Sequence, residues 1–227
     1  MRASWEPDVL GPRFERLTLP LEPDGEGEVV ATLVRHEPNS ALLAAIRRLP
    51  LRDVDVLYTH GWSDYFFQRE LAEFFTSRGA RFFALDLRKY GRSLRDHQTP
   101  GFAATLNDYD ADIDAALREM KSGSRRVFLM GHSLGGLVFA LWAHRHPGRV
   151  DALMLNSPWL ETQGSTIARI LVQPVFRAQA LVNSKSNLPS VDFGYYSRSI
   201  DADRDGEWQF NHEWRPPRGF VARPAWG

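Results

Sequence analysis

The sequence predicts an α/β protein built on a mainly parallel sheet, and three observations carry the prediction. Short runs rich in Val, Leu, Phe and Tyr alternate with longer runs whose apolar residues recur every three to four positions, the pattern of strand–helix–strand units. The most informative turn, residues 131–135, falls between one such strand and the helix after it. The 227 residues suffice for one substantial core, so a single domain is expected.

Taken in order, residues 14–19 and 28–35 read as two strands around the turn-forming Pro23-Asp24-Gly25-Glu26-Gly27, giving a hairpin at one sheet edge. Residues 53–59 hold Val54, Val56, Leu57 and Tyr58 and read as a buried strand. A helix follows over residues 65–76, ended by Gly79, and residues 80–87 form the next strand. Residues 107–120 place Tyr109, Ile113, Ala116, Leu117 and Met120 at helical spacing behind Asn107 as N-cap, with the acids on the exposed face. Residues 126–130 are a compact apolar strand, residues 134–144 a small, apolar helix suited to close packing, and residues 150–156 a sixth strand after Pro147-Gly148. Beyond Pro158 the alternation stops, with helical potential near residues 166–182 and a polar, aromatic tail.

Gly131-His132-Ser133-Leu134-Gly135 matches G-x-S-x-G between a strand and a helix, the context in which that motif exposes a nucleophilic serine. The serine needs a strained backbone, and side chains two residues to either side would collide with strand and helix, so Gly131 and Gly135 are required and Gly136 adds room. The helix N-terminus brings the Leu134 N–H and a positive dipole end to the oxygen that becomes anionic on attack.

Composition narrows the class. Lys plus Arg and Asp plus Glu both number 28, so no net field draws the chain to nucleic acid or anionic lipid, and a small organic substrate fits better. The absence of cysteine excludes disulfides, a thiolate nucleophile and Cys-ligated zinc, which suits the cytoplasm. The first residues lack a signal-peptide core, and no stretch has the length of a membrane span. His144 and His146 lie two apart, a spacing that separates them on a helix, so they read as solvated histidines and neither a metal nor a cofactor is expected.

His60-Gly61, then Asp86-Leu87-Arg88-Lys89-Tyr90-Gly91-Arg92-Ser93, then Gly131 to Gly136 resemble the ordered landmarks of the α/β-hydrolase superfamily. Within it they look most like the lysophospholipase, monoacylglycerol lipase and serine aminopeptidase-like branch, strongly over residues 50–160. The resemblance implies a carboxylic-ester hydrolase with an acyl-enzyme at Ser133, since Ser rather than Asp stands at the nucleophile position. It places the second oxyanion donor in the loop after residues 53–59, making the Trp62 N–H the candidate beside that of Leu134. His60 is then either loop-orienting or directly catalytic, and residues 86–93 either shape the loop beside the site or form a turn with a charge pair. The implied substrate is a small-molecule ester or lipid-like compound.

The sequence departs from the family late in the chain. There the triad order is Ser, then Asp or Glu, then His, the last two following strands for which this chain shows no counterpart. The expected organisation is a hydrolase core over residues 1–158 and a lid-like segment and tail over residues 159–227 of the same domain, the last two strands being absent. His212 is the one histidine after Ser133 beyond His144 and His146 at the end of the following helix, in a polar setting. The triad acid and base therefore stay unassigned. The alternative reading is a truncated, catalytically impaired member that lacks the triad acid and base and is at most a ligand-binding or interaction module. An unpaired sixth strand would be open to self-association, with Ile170, Leu171, Val172, Val175, Phe176, Leu181 and Val182 available to cover it or to line an acyl pocket.

Overall fold

The structure, a computed structural model, describes residues 4–38, 48–62 and 64–160. The expected lid-like segment, from residue 161 onward, and His212 lie outside these residues. All six expected strands are present, joined by a two-residue strand: β1 (Glu6–Pro7), β2 (Phe14–Asp24), β3 (Gly27–His36), β4 (Val54–Thr59), β5 (Arg81–Asp86), β6 (Arg126–His132) and β7 (Ala152–Asn156). They form one sheet in the order β1-β2-β3-β5-β4-β6-β7. The β2–β3 hairpin and its contact with β5 are antiparallel, whereas β5, β4, β6 and β7 run parallel. Placing β4 between β5 and β6 explains why every residue of β4 is buried, as a parallel strand covered on both faces must be.

Alternation along the central strands divides the core. Leu57, Phe83 and Leu85 face Tyr109, Ile113, Phe139 and Trp142 on one side of the sheet. Val56, Tyr58, Phe82 and Ala84 pack with Phe66, Ala72 and Phe75 on the other. Among the described residues the α-helices are α1 (Arg69–Ser77), α2 (Tyr109–Met120) and α3 (Leu134–Arg145), so α1 covers one face and α2 and α3 the other. Among the described residues β7 is the outer strand, with Leu153 and Leu155 exposed. No described helix is long and apolar enough to cross a membrane.

Four local details differ from the expectations. Helix α1 begins at Arg69 rather than Tyr65, because the Phe66 amide donates to Asp86 Oδ1 at 2.9 Å and its carbonyl accepts Arg92 Nη1 at 2.9 Å. Those bonds fix the backbone in a loop. The cap before α2 is Thr105, not Asn107: its amide and hydroxyl donate to Asp108 at 3.1 and 3.0 Å ahead of a 3₁₀ turn, Leu106–Asp108. The acids of α2 do not all face solvent, since Asp112 is fully buried against Arg88. Likewise His146 is not merely solvated, for its ring bonds the Trp142 carbonyl and stacks on that indole at 4.7 Å.

Candidate active site

Ser133 stands between the last residue of β6 and the first of α3 with φ 49° and ψ −113°. A side chain at such a positive φ stores about 1–3 kcal/mol of backbone strain, which only a surrounding structure that fixes it on several sides maintains. Here the Ser133 amide donates to the Asn156 carbonyl at 3.0 Å, and its own carbonyl accepts the amides of Leu137 and Trp159 at 3.2 and 2.9 Å. The glycines are required by space. A Cβ on Gly131 would lie 2.5 Å from the Gly135 carbonyl oxygen, and one on Gly135 would lie 2.6 Å from the carbonyls of Thr59 and His60. On Gly136 it would meet Pro158 at 2.7 Å.

The loop after β4 lies against this turn. A Cβ on Gly61 would stand 3.2 Å from both the Ser133 Cβ and the His132 ring, and the Gly135 amide donates to the His60 carbonyl at 3.0 Å. The structure thus brings His60, Gly61, His132, Ser133, Leu134 and Gly135 together, with Trp62 at the turn directly after Gly61. The Leu134 amide, in the first turn of α3, has no acceptor among the described residues, as the leading N–H groups of a helix lack intrahelical partners. The Trp62 ring meets Tyr90 edge-on at 6.2 Å and Trp159 at 6.3 Å.

Of the two roles open to His60, the geometry favours loop orientation. Its Nε2 accepts the Leu87 amide at 3.1 Å, so the ring proton sits on Nδ1, which donates to the Gly61 carbonyl at 2.8 Å. Burial pushes its pKa down, keeping the ring neutral. Both nitrogens are engaged with backbone, leaving neither for a serine hydroxyl. His132 turns its ring toward Gly61, and its buried Nδ1 has no partner among the described residues.

Residues 86–93 prove to be a charged frame behind the loop. Arg92 is buried and forms a two-pronged pair with Asp8 at 2.7 and 2.8 Å, while Nη1 reaches Asp86 at 2.8 Å. Asp86 in turn accepts the amides of Phe66 and Arg92. Lys89, equally buried, ties Asp24 and Glu26 of the hairpin at 2.5 and 2.6 Å. Arg88 binds Asp112, whose pKa burial raises to about 6 even against that guanidinium. Asp8 and Asp112 escaped sequence reasoning because their partners lie 84 and 24 residues away; Asp86 and Arg92 sat within a recognised landmark.

Among the described residues no imidazole or carboxylate hydrogen-bonds the Ser133 hydroxyl, and no cluster of His, Asp or Glu could hold a metal ion.

Residues 53–204 match the family model described as serine aminopeptidase, S33. The chain belongs to this family. Lysophospholipase L2 of Escherichia coli K12 is 31% identical over 115 residues, covering 49% of this chain and 32% of that protein. Phospholipase YtpA of Bacillus subtilis is 32% identical over 111 residues, covering 48% and 41%. The matched part thus spans well under half the length of these relatives. Among solved structures, a carboxyl esterase from Bacillus coagulans superimposes with TM-score 0.57 at 15% identity over 88% of this chain and 61% of that one. A monoglyceride lipase variant from Saccharomyces cerevisiae gives 0.56 at 16% over 77% and 54%. These likenesses show the α/β-hydrolase fold of the S33 member.

Proposed function

We propose that this S33 family member is a serine hydrolase of carboxylic esters that works through an acyl-enzyme at Ser133. The observation that carries the reading is the strained, positive-φ backbone of Ser133 between β6 and α3, with Gly61 packed against it. The Ser133 oxygen attacks the ester carbonyl carbon; its proton goes to a base and the carbonyl oxygen becomes anionic. The Leu134 and Trp62 amides would receive that oxyanion, helped by the positive end of α3. Collapse expels the alcohol and leaves the acyl group on Ser133, and water then releases the acid. Lipid-like esters suit the site best, given that relatives carry the names lysophospholipase and phospholipase and that Trp62 and Trp159 offer apolar surface beside Ser133.

A second reading, a member that binds acyl groups without turning them over, draws on the described core, where both nitrogens of His60 are occupied and no base bonds Ser133. A steady-state assay with a short p-nitrophenyl ester separates the two. Turnover of about 1–10³ per second that vanishes in Ser133→Ala supports the hydrolase. Turnover equal in the two proteins contradicts it.

A further inference from the structure

Two indoles that start on opposite sides of the nucleophile meet beside it. In the sheet β6 lies between β4 and β7. Trp62 follows the end of β4 and Trp159 the end of β7, yet their rings stand 6.3 Å apart at 71°. The pair therefore meets across the line of β6, at whose end Ser133 stands. Behind Trp62 lie Tyr90, edge-on at 6.2 Å, and then the fully buried His60 ring, 4.9 Å from that of Tyr90. This backing leaves the Trp62 indole little room to retreat.

Trp159 is held by its backbone. Its amide donates to the Ser133 carbonyl at 2.9 Å, the Leu160 amide donates to the Pro158 carbonyl at 2.9 Å, and Pro158 packs against Gly136 in the first turn of α3. Ser157, two residues earlier, adopts φ 46°, a strained conformation of the kind that clusters at functional sites. Despite this anchoring Trp159 stays 42% exposed and Leu160 60%. Core packing does not account for a turn fixed to the nucleophile residue that ends in an indole open to solvent; a surface of that kind suits a ligand.

We propose that Trp159 is a specificity-determining residue: with Trp62 it walls the acyl side of the site and selects esters whose linear acyl chain is long enough to lie on both indoles over acetyl esters. The proposal rests on the reading of Ser133 and Trp62 given above. On that reading the acyl carbon is held between Ser133 and the Trp62 amide, and a chain leaving it toward β7 runs along the two rings. An acetyl group has too few carbons to cover both, whereas each further methylene removes apolar surface from water. The acyl group, unlike the alcohol, remains on Ser133 through the second step of the reaction, so a wall tied to the backbone of Ser133 serves that half of the ester.

Kinetics of the full chain with p-nitrophenyl acetate and p-nitrophenyl octanoate test this. Wild type should show the higher kcat/KM for the octanoate. In Trp159→Ala the octanoate-to-acetate ratio should fall by about tenfold or more, and Trp159→Phe should restore most of it, because a ring returns while the amide bond to Ser133 is present in every variant. An unchanged ratio in Trp159→Ala overturns the proposal, and so does a loss equal for both esters, which would mark a structural role. An effect that appears instead when the acyl group is kept as acetyl and the alcohol is lengthened to octanol overturns the assignment to the acyl side. Binding gives a readout independent of turnover. In Ser133→Ala, calorimetry should show octanamide binding more tightly than acetamide, and adding Trp159→Ala should weaken octanamide by about tenfold or more. Octanamide binding that is indifferent to Trp159 overturns the proposal. A wild-type chain that hydrolyses neither ester, while Ser133→Ala binds octanamide through Trp159, contradicts the hydrolase reading and supports the wall.

Discussion

The carbonyl oxygen of His60 accepts the Gly135 amide at 3.0 Å, and so ties the loop after β4 to the first turn of the helix that follows Ser133. The two halves of the site are held by one backbone bond, and that bond exists because residue 135 has no side chain. Gly135→Ala would put a Cβ 2.6 Å from the His60 and Thr59 carbonyls, both of them backbone atoms with little freedom to retreat. It should destabilise the fold by about 1–3 kcal/mol and slow labelling of Ser133. Urea unfolding beside a labelling time course checks both; an alanine variant as stable and as reactive as wild type contradicts the packing described here.

His60 supplies the second tie. Its ring bridges the Gly61 carbonyl and the Leu87 amide, and His60→Ala leaves both backbone groups buried without a partner, a loss of about 1–3 kcal/mol for each. If His60 only orients the loop, the variant should lose stability and react more slowly with esters, while the pH dependence of whatever activity remains keeps its shape. A changed apparent pKa in the activity profile would mean that His60 exchanges protons with substrate.

Arg92 joins Asp8, Asp86 and the Phe66 carbonyl. Replacing it by Met strands two buried carboxylates, and breaking buried pairs of this kind removes about 3–5 kcal/mol. Arg92→Lys should recover little, because a single ammonium cannot span three acceptors. Denaturant titration of both variants at pH 7 gives the answer; near-wild-type stability for Lys would show that charge alone suffices.

His36 is expected to shape the acid limb of stability. Buried between Phe14 and Thr76, it has a pKa pushed down by desolvation from 6.5 to about 4. The unfolded chain binds this proton more readily, so stability is lost as the pH falls from about 6.5 toward 4. His36→Gln should flatten that limb when the urea midpoint is followed across the same range. An unchanged slope would place the acid sensitivity in other groups.

How far the sequence could be read follows from what each feature depends on. The six strands of useful length and the glycines of the turn were legible because they rest on local periodicity and on steric rules acting within five residues. The start of α1 was not, since Asp86 and Arg92 capture the Phe66 backbone from 20 and 26 residues away. The burial of Asp112 was missed for the same reason, its partner Arg88 arriving from another element. The meeting of Trp62 with Trp159 gave no signal in sequence: it depends on β4 and β7 flanking β6, and only the folded sheet sets that order.

Ser133 is the residue on which the proposed activity depends, and a fluorophosphonate probe addresses it most directly, because efficient labelling requires an activated serine hydroxyl. Treatment of the purified chain followed by peptide mapping should place a single adduct on Ser133, with none formed in a folded Ser133→Ala variant. An adduct at another residue, or equal labelling of wild type and Ser133→Ala, would contradict the assignment of the nucleophile.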